Sequence, residues 1–463
     1  QPKCLASSNQ AARWAGASRV SSPAQPALPP RLAGGIGPWH GEAVVTKLSV
    51  RSETATLRSV VVHRPGDEIA RMTQHQLDHL LFDDILSPAA AIAEHDLMSD
   101  ILRGGGAEVL EIGDLLSDAL ARASGRERRQ LLSSICAQSG VEGLADPLLD
   151  WPAPKLAEAL VQGVSGSALT GAPMTLARLR RELSTGDDVA LAPVPNLMFM
   201  RDPCFALHDR VVVGRMATPA RAPEPLLVSF AIPHAEAVAA RRLLFEDAQR
   251  STERIEGGDV MVLSEQVLVV GCSQRTSAAT VERLAREAVF DAFPEVERVY
   301  AVFMPEQRSI MHLDTIVTQI DERMFLGPRP LVCGESPLPV ARIERDEPAQ
   351  LVEGASLLDV LDRELGGVEM VPCGGADPIH QEREQWTDGA NAFCLSPGRI
   401  ILYSRNVHTI EALRAKGFVQ VDLSTVLPAE QRAELIAKGM AEPRVVFSFS
   451  GSELSRARGG GRC

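Results

Sequence analysis

Apolar positions along the chain gather into short β-rich runs separated by stretches of helical spacing. Leu57-Arg-Ser-Val-Val-Val-His63 ends at Arg64-Pro65-Gly66, so a strand closed by a turn is predicted. A helix over 89–103 and a strand over 107–112 should follow. From about 113 to 186 the spacing becomes that of amphipathic helices without convincing strands. Asp114-Leu-Leu-Ser-Asp-Ala-Leu-Ala-Arg122 and Pro154-Lys-Leu-Ala-Glu-Ala-Leu160 are examples. This segment reads as a helical insertion.

Beyond it one pattern recurs. Val211-Val-Val213 leads through Gly214-Arg215 to a predicted helix over 234–249. Val267-Leu-Val-Val270 leads through Arg275-Thr276 to one over 277–290. Ile400-Ile-Leu-Tyr403 leads through Ser404-Arg405-Asn406 to one over 408–416. A short strand, an arginine at its end and a polar cap into a helix suggest an α/β ring of related modules. A doubly wound parallel sheet gives the same coarse alternation. No GxGxxG or GxxxxGK[ST] follows any of these strands, so a nucleotide-binding loop is not indicated.

Composition narrows the function classes. The 463 residues carry 47 Lys+Arg against 60 Asp+Glu, a net charge of −13, which argues against a general nucleic-acid binder. No apolar run approaches the roughly 18 residues of a membrane span, so a soluble protein with no membrane partner is expected. Residues 1–47 are rich in Ala, Ser, Pro, Gly and Arg and begin with Gln1. They read as a disordered tail or a mispredicted extension. Cysteines stand at 4, 136, 204, 272, 333, 373, 394 and 463 without a CxxC pair, so neither a zinc ribbon nor a disulfide framework is indicated. Reduced thiols and a cytoplasmic location are the expectation.

Several segments place charge where packing alone needs none. Asn196-Leu-Met-Phe-Met-Arg-Asp202 interleaves polar and apolar residues at strand period. Glu256-Gly-Gly-Asp259 puts two glycines between carboxylates, suited to a close backbone approach or to a plain turn. In His312-Leu-Asp314, strand alternation would set imidazole and carboxylate on one face as a proton-transfer pair, though a satisfied core histidine is the commoner cause of such a pattern. Cys463 lies beyond Arg456, Arg458 and Arg462, which would favour a thiolate, although a frayed basic tail reads the same way.

Taken in order, these segments resemble the arginine deiminase family. The resemblance rests on Asn196-Leu-x-Phe-x-Arg-Asp202, Thr218-Pro-Ala-Arg221-x-x-Glu224, Glu256-Gly-Gly-Asp259, Ser273-x-Arg275-Thr276, Met311-His312-Leu-Asp314-Thr315, Arg383-Glu-Gln-Trp386-x-Asp-Gly and Glu453-Leu-Ser-Arg-x-Arg-Gly-Gly-x-x-Cys463. Leu80-Leu-Phe-Asp-Asp84 and Glu94-His-Asp96 also resemble that family's N-terminal segment. The resemblance implies a five-module pentein α/β propeller formed by 48–112 and 187–463, with 113–186 an inserted helical bundle. It implies hydrolysis of L-arginine to L-citrulline and ammonia. Cys463 would be the nucleophile and His312 the acid and base. Asp202 and Asp314 would grip the guanidinium, and Glu256 would position His312. Arg221 and Arg275, assisted by Asn196, would hold the α-carboxylate, Phe199 would pack on the substrate, and Arg458 would act as a gate. Glu224, Arg215, Arg405, Trp386, Asp83 and Asp84 read mainly as scaffold. L-arginine and water are the implied partners, with no metal or organic cofactor, and a homo-oligomer is compatible with the sequence.

Other activities of the superfamily remain open at this point, an amidinotransferase among them. Arg221 and Arg275 favour arginine over agmatine, which lacks the carboxylate. Because the sequence stops at Cys463, a truncated, inactive arginine binder is a further expectation to be tested.

Overall fold

Strand formation follows the β-branched runs. In a computed structural model describing residues 48–169, 176, 179, 189–234, 241–243, 253–334 and 337–463, Ser59–Val62 (β1) pairs in parallel with Glu108–Glu111 (β2). The expected tail over 1–47 lies outside the described residues. Pro88–Gly104 forms the helix between β1 and β2, with proline in its first turn, where a missing N–H costs nothing. The predicted helix and both strands are therefore present to within two residues.

Between 112 and 162 the chain is helical, as its spacing implies: Ile112–Arg122, Gly125–Gln138, Ala145–Leu149 and Ala153–Gln162. Ser124 and Glu127 form a reciprocal capping box at the second of these. Leu116, Leu120, Leu132, Ile135, Leu156 and Leu160 bury their apolar stripes in one core with Leu227 and Val228 of Pro223–Ala231. A short antiparallel pair, Val164–Ser165 (β3) and Val189–Leu191 (β4), follows.

The remaining strands repeat one arrangement. Cys204–Leu207 (β5) is antiparallel to Arg210–Val213 (β6), which pairs in parallel with Arg241–Leu243 (β7). Val260–Val262 (β8), Val267–Cys272 (β9) and Arg298–Phe303 (β10) do the same. So do Thr318–Asp321 (β11) and Met324–Gly327 (β12), after Val340–Glu344 (β13) and Gln350–Leu351 (β14) have extended the β10 edge and Glu369–Pro372 (β15) has joined β12. Last come Phe393–Ser396 (β16), Arg399–Tyr403 (β17), Val419–Asp422 (β18) and Val445–Phe449 (β19), with β19 parallel to both β17 and β18. Four hairpins thus each gain a parallel neighbour.

The α/β class holds, with two corrections to the sequence reading. Among the described residues the strands form six separate sheets, and no closed ring of sheets is recorded. The helix expected over 234–249 gives way to strand at Arg241–Leu243, where an Arg-Arg-Leu segment gains ladder bonds from β6. Tertiary pairing overrides helical propensity there. Positions 235–240 and 244–249 lie outside the described residues.

The repetition positions the chemistry. Asp202 lies two residues before β5, Glu256–Asp259 runs directly into β8, His312–Thr315 precedes β11, and Asp388–Asn391 precedes β16. Each hairpin therefore delivers one polar loop at the start of its first strand.

Candidate active site

Tight turns, not strands, carry most of the polar groups. Pro195–Met198, Gly257–Asp259 and Leu313–Thr315 are single 3-10 turns. The expected strand alternation of His312 and Asp314, and that of 196–202, is thereby corrected. Asp259 explains one turn: its carboxylate accepts the Leu313 N–H (2.9 Å) and the Ser273 hydroxyl (2.7 Å), tying three loops together. Such local competition for backbone donors favours turns over ladders. Burial pushes the Asp259 carboxyl up to about 7 against these donors. Gly258 is required by its neighbour, because a Cβ there would lie 2.7 Å from the His312 ring.

His312 is 2% exposed. Its Nε2 donates to Glu256 Oε2 at 2.9 Å, and its Nδ1 lies 3.6 Å from Asp202 Oδ1. Burial opposes the imidazolium, but Asp202, the Glu256 hydrogen bond and Asp259 outweigh it and raise His312 to about 9. Glu256 is held below the usual carboxylate range, despite its burial, by His312, Arg275 and Arg221. Its other oxygen accepts the Ala217 N–H at 2.8 Å.

The two candidate guanidinium ligands are each half engaged. Asp202 Oδ2 accepts Arg221 Nη1 at 2.6 Å, and Asp314 Oδ2 accepts Arg462 Nη1 at 2.8 Å. The Oδ1 atom of each is buried and makes no hydrogen bond. Burial of an acceptor without a hydrogen bond is unfavourable, so both oxygens can accept further donors.

Cys463 is partly exposed at the end of the loop that follows Ser452–Arg456. Glu94 secures the start of that helix, its carboxylate accepting the N–H groups of Ser452, Glu453 and Leu454. Gly459 packs flush on Phe199, whose ring a Cβ would meet at 2.0 Å. Tyr403 donates to the Gly459 carbonyl at 2.9 Å, and the Arg201 N–H donates to the Cys463 carbonyl at 2.9 Å.

The expected thiolate is corrected. Burial first, then the carboxylates of Asp314, Asp202 and Asp388, push the Cys463 thiol well up. The three arginines do not offset this because each is engaged elsewhere. Arg456 faces Asp84 and Glu453, Arg458 faces Trp386 and Asp83, and Arg462 faces Glu53 and Asp314.

At the other end, the sequence-predicted anchors differ. Arg221 is buried and committed, with Nε and Nη2 on Glu224 and Nη1 on Asp202. Arg275 is also buried, yet its Nη1 makes no hydrogen bond and lies 3.8 Å from Glu256 Oε1. The Asn196 side chain turns away to donate to the Leu80 carbonyl at 2.7 Å. Arg458 lies 3.8 Å over the Trp386 ring and donates to the Trp386 carbonyl at 2.6 Å.

A cavity of about 240 Å³ brings Asn196, Phe199, Asp202, Arg221, Arg275, His312, Arg458 and Cys463 to one space. Glu256 and Asp314 stand behind its lining, Glu256 hydrogen-bonded to His312 and the Asp314 charge acting on Cys463. A larger cavity of about 510 Å³ also borders Cys463 but is lined mostly by apolar residues around β1 and β5, without His312 or Asp202. The chemistry belongs to the smaller one. Asp202, Glu256 and His312 offer donor atoms within 4.8 Å of one another, a metal-like cluster. The buried carboxylate oxygens that make no hydrogen bond suit a cation rich in N–H donors.

Sequence reasoning missed Glu53, Asp259 as a tie between loops, Asn391, and Glu94 as a cap. Asn391 accepts the Arg462 N–H and donates to the Asp314 carbonyl. Only Glu94 and Asp259 stood in a recognised motif, and motif membership does not reveal which backbone they reach.

A cysteine, a histidine and an aspartate lining one cavity, with Glu256 and Asp314 acting on them, suit an enzyme acting on guanidino groups, and sequence comparison agrees. The family described as "Arginine deiminase" matches residues 78–463. The arginine deiminase of Clostridium perfringens (strain SM101 / Type A) is 33% identical over 429 residues, covering 90% of this chain and 96% of that one. That of Rhodococcus opacus (strain B4) is 34% identical over 423 residues with the same coverage. This chain belongs to the arginine deiminase family. Among solved structures, a dimethylarginine dimethylaminohydrolase adduct with S-methyl-L-thiocitrulline overlaps 88% of this chain and 98% of its own at TM-score 0.43 and 12% identity. An amidinotransferase from Microseira wollei overlaps 81% and 90% at TM-score 0.44 and 12% identity. No helix among the described residues is long and apolar enough to cross a membrane.

Proposed function

We propose that the protein hydrolyses free L-arginine to L-citrulline and ammonia, with Cys463 as nucleophile. The observation that carries this reading is the pair of buried carboxylate oxygens without a hydrogen bond, Asp202 Oδ1 and Asp314 Oδ1, whose charges act on the Cys463 thiol. A guanidinium presents five N–H donors in a plane, and two carboxylates can take them in pairs while holding the carbon next to sulfur. The unpartnered Nη1 of Arg275 suits the α-carboxylate at the far end, and Phe199 suits the aliphatic chain. Arg221 would support that anion only by releasing part of its grip on Asp202 and Glu224.

The electrostatics suggest an order of events. Before substrate enters, burial and then the carboxylates hold Cys463 as a thiol. An arriving cation offsets those charges, lowers the thiol pKa and lets its proton leave to solvent. The thiolate then forms a C–S bond to the guanidinium carbon. Imidazolium His312 gives its proton to the departing nitrogen as the C–N bond breaks, releasing ammonia and leaving a cationic amidino-thioether. Neutral His312 next takes a proton from water, whose oxygen bonds to the same carbon. The C–S bond breaks, the thiolate returns, the hydroxyl proton on the former guanidinium carbon passes to solvent, and citrulline leaves. These steps use only this chain's side chains, arginine and water.

We further read the four hairpin triplets plus the β1–β2 pair as five related modules of one catalytic domain, with 113–186 inserted in it and 48–112 and 187–463 forming the rest. A cytoplasmic location and a homo-oligomeric state belong to the same proposal.

The test is citrulline and ammonia release from L-arginine with no amine acceptor present. Turnover only when an amine is added would make the protein an amidinotransferase. Arginine binding by calorimetry without any turnover would make it a binder.

A further inference from the structure

The proposed site leaves one arrangement unexplained: why Arg462, a long cation next to Asp314, takes only one oxygen of that carboxylate. Arginine and carboxylate usually pair side-on through two parallel hydrogen bonds. Here Arg462 gives Asp314 Nη1 alone, while its Nε (3.2 Å) and Nη2 (2.8 Å) donate to Glu53 Oε2. Glu53 lies in the loop before β1, outside the 78–463 match, and is held in place independently of Arg462. Its backbone N–H donates to the Val262 carbonyl (3.0 Å), and its Oε1 accepts the Val262 N–H (2.9 Å) and faces Arg201 Nη2 at 3.4 Å. Val260 and Val262 of β8 thus form a fixed base for the pair, the Val260 carbonyl also accepting Arg462 Nη2 at 3.2 Å.

We infer that Glu53 is a positioning residue for guanidinium binding: by occupying two donors of Arg462 it keeps Asp314 Oδ1 free for the substrate. This rests on the reading of Asp314 as a guanidinium ligand. Two carboxylates, Glu53 and Asp314, face two cations, Arg462 and Arg201, so the group is close to neutral overall. Removing the Glu53 charge leaves an excess of positive charge with Asp314 as the nearest carboxylate. Arg462 then closes on both oxygens of Asp314 and competes with the incoming cation.

The experiment uses Glu53→Gln, Glu53→Asp and the double variant Glu53→Gln/Arg462→Gln in the full chain. The Kd for arginine is measured by calorimetry in a Cys463→Ala background, with KM and kcat measured in the intact enzyme. Loss of one charge-assisted hydrogen bond corresponds to about a tenfold rise in Kd and KM for Glu53→Gln, with kcat changed less than about threefold. In the double variant Asp314 has no competing cation, so Kd returns to within about threefold of the starting value. Unchanged Kd in a folded Glu53→Gln protein, or a double variant as weak as the single, overturns the inference. If Glu53→Gln does not fold, Glu53→Asp serves. It keeps the charge, and near-normal Kd supports the proposal, whereas a tenfold loss with charge retained overturns it. If the unaltered protein makes no citrulline yet Glu53→Gln weakens arginine binding and the double variant restores it, the proposed activity fails and the role of Glu53 stands.

Discussion

Replacing Glu256 with glutamine tests the proton chemistry most directly. The substitution keeps the size of the side chain and an acceptor for the Ala217 N–H, but removes the negative charge 2.9 Å from His312 Nε2. In the unaltered protein the rise of His312 from 6.5 to about 9 corresponds to about 3 kcal/mol in favour of the imidazolium. A hydrogen bond to a charged partner contributes about 1.5–3 kcal/mol of such a balance, so its loss should lower the His312 pKa by about one to two units. Asp202 and Asp259 remain to hold part of the shift. The pH dependence of kcat and the NMR titration of His312 should both show the alkaline pKa moving down from near 9. The stability curve should change in the same window. A raised histidine pKa contributes stability that is fully present below about 6.5 and is lost as pH climbs through 9. The variant should therefore lose more of its melting temperature at pH 6 than at pH 9.5. An alkaline limb that stays in place would refute the assignment of His312 and Glu256 as a coupled pair.

Three further outcomes are expected. Cys463→Ala should abolish citrulline formation while calorimetry still detects arginine; normal turnover would remove Cys463 from the mechanism. Arg275→Ala should raise KM for arginine by about tenfold but leave KM for agmatine, which lacks the carboxylate, within about twofold, since only the first ligand can use the unpartnered Nη1. Equal effects on both would exclude Arg275 from the carboxylate end. Glu94→Ala should destabilise the protein by about 1–2 kcal/mol in urea unfolding, because three N–H groups of Ser452, Glu453 and Leu454 lose their acceptor. An unchanged unfolding midpoint would show that water replaces the cap without penalty.

How much of this was legible in the sequence depended on whether a residue acts near its own motif. Val211–Val213, Val267–Val270 and Ile400–Tyr403 announced their strands through β-branched runs, and all three are strand segments, buried but for half-buried Val213. His312, Glu256, Asp202 and Cys463 stood out by motif, and the fold brings them to one cavity or its wall. Local geometry was less legible. His312-Leu-Asp314 has strand-like spacing, yet the Asp259 carboxylate captures the Leu313 N–H and the segment turns. The sign of the Cys463 shift was misread because neighbouring arginines were counted without their partners. Glu53 is 409 positions from Arg462, and Asp83 is 375 from Arg458, separations at which sequence order carries no signal. Arg241–Leu243 shows the same limit for secondary structure, its strand being fixed by Arg210–Val212 opposite.

The recurring hairpins also separate loops that must be exact from turns that can vary. Each first strand carries its polar loop at one end and its turn at the other, three or four residues away, or about 10 Å or more. Asp209, Glu265 and Glu322 mark three of those turns, and all are exposed. A peptide tag, a fluorophore or a tether inserted there would sit beyond the reach of the reacting atoms. The Asp209 and Glu322 turns are therefore the places to label, immobilise or fuse the chain, away from the loops that carry the candidate site residues.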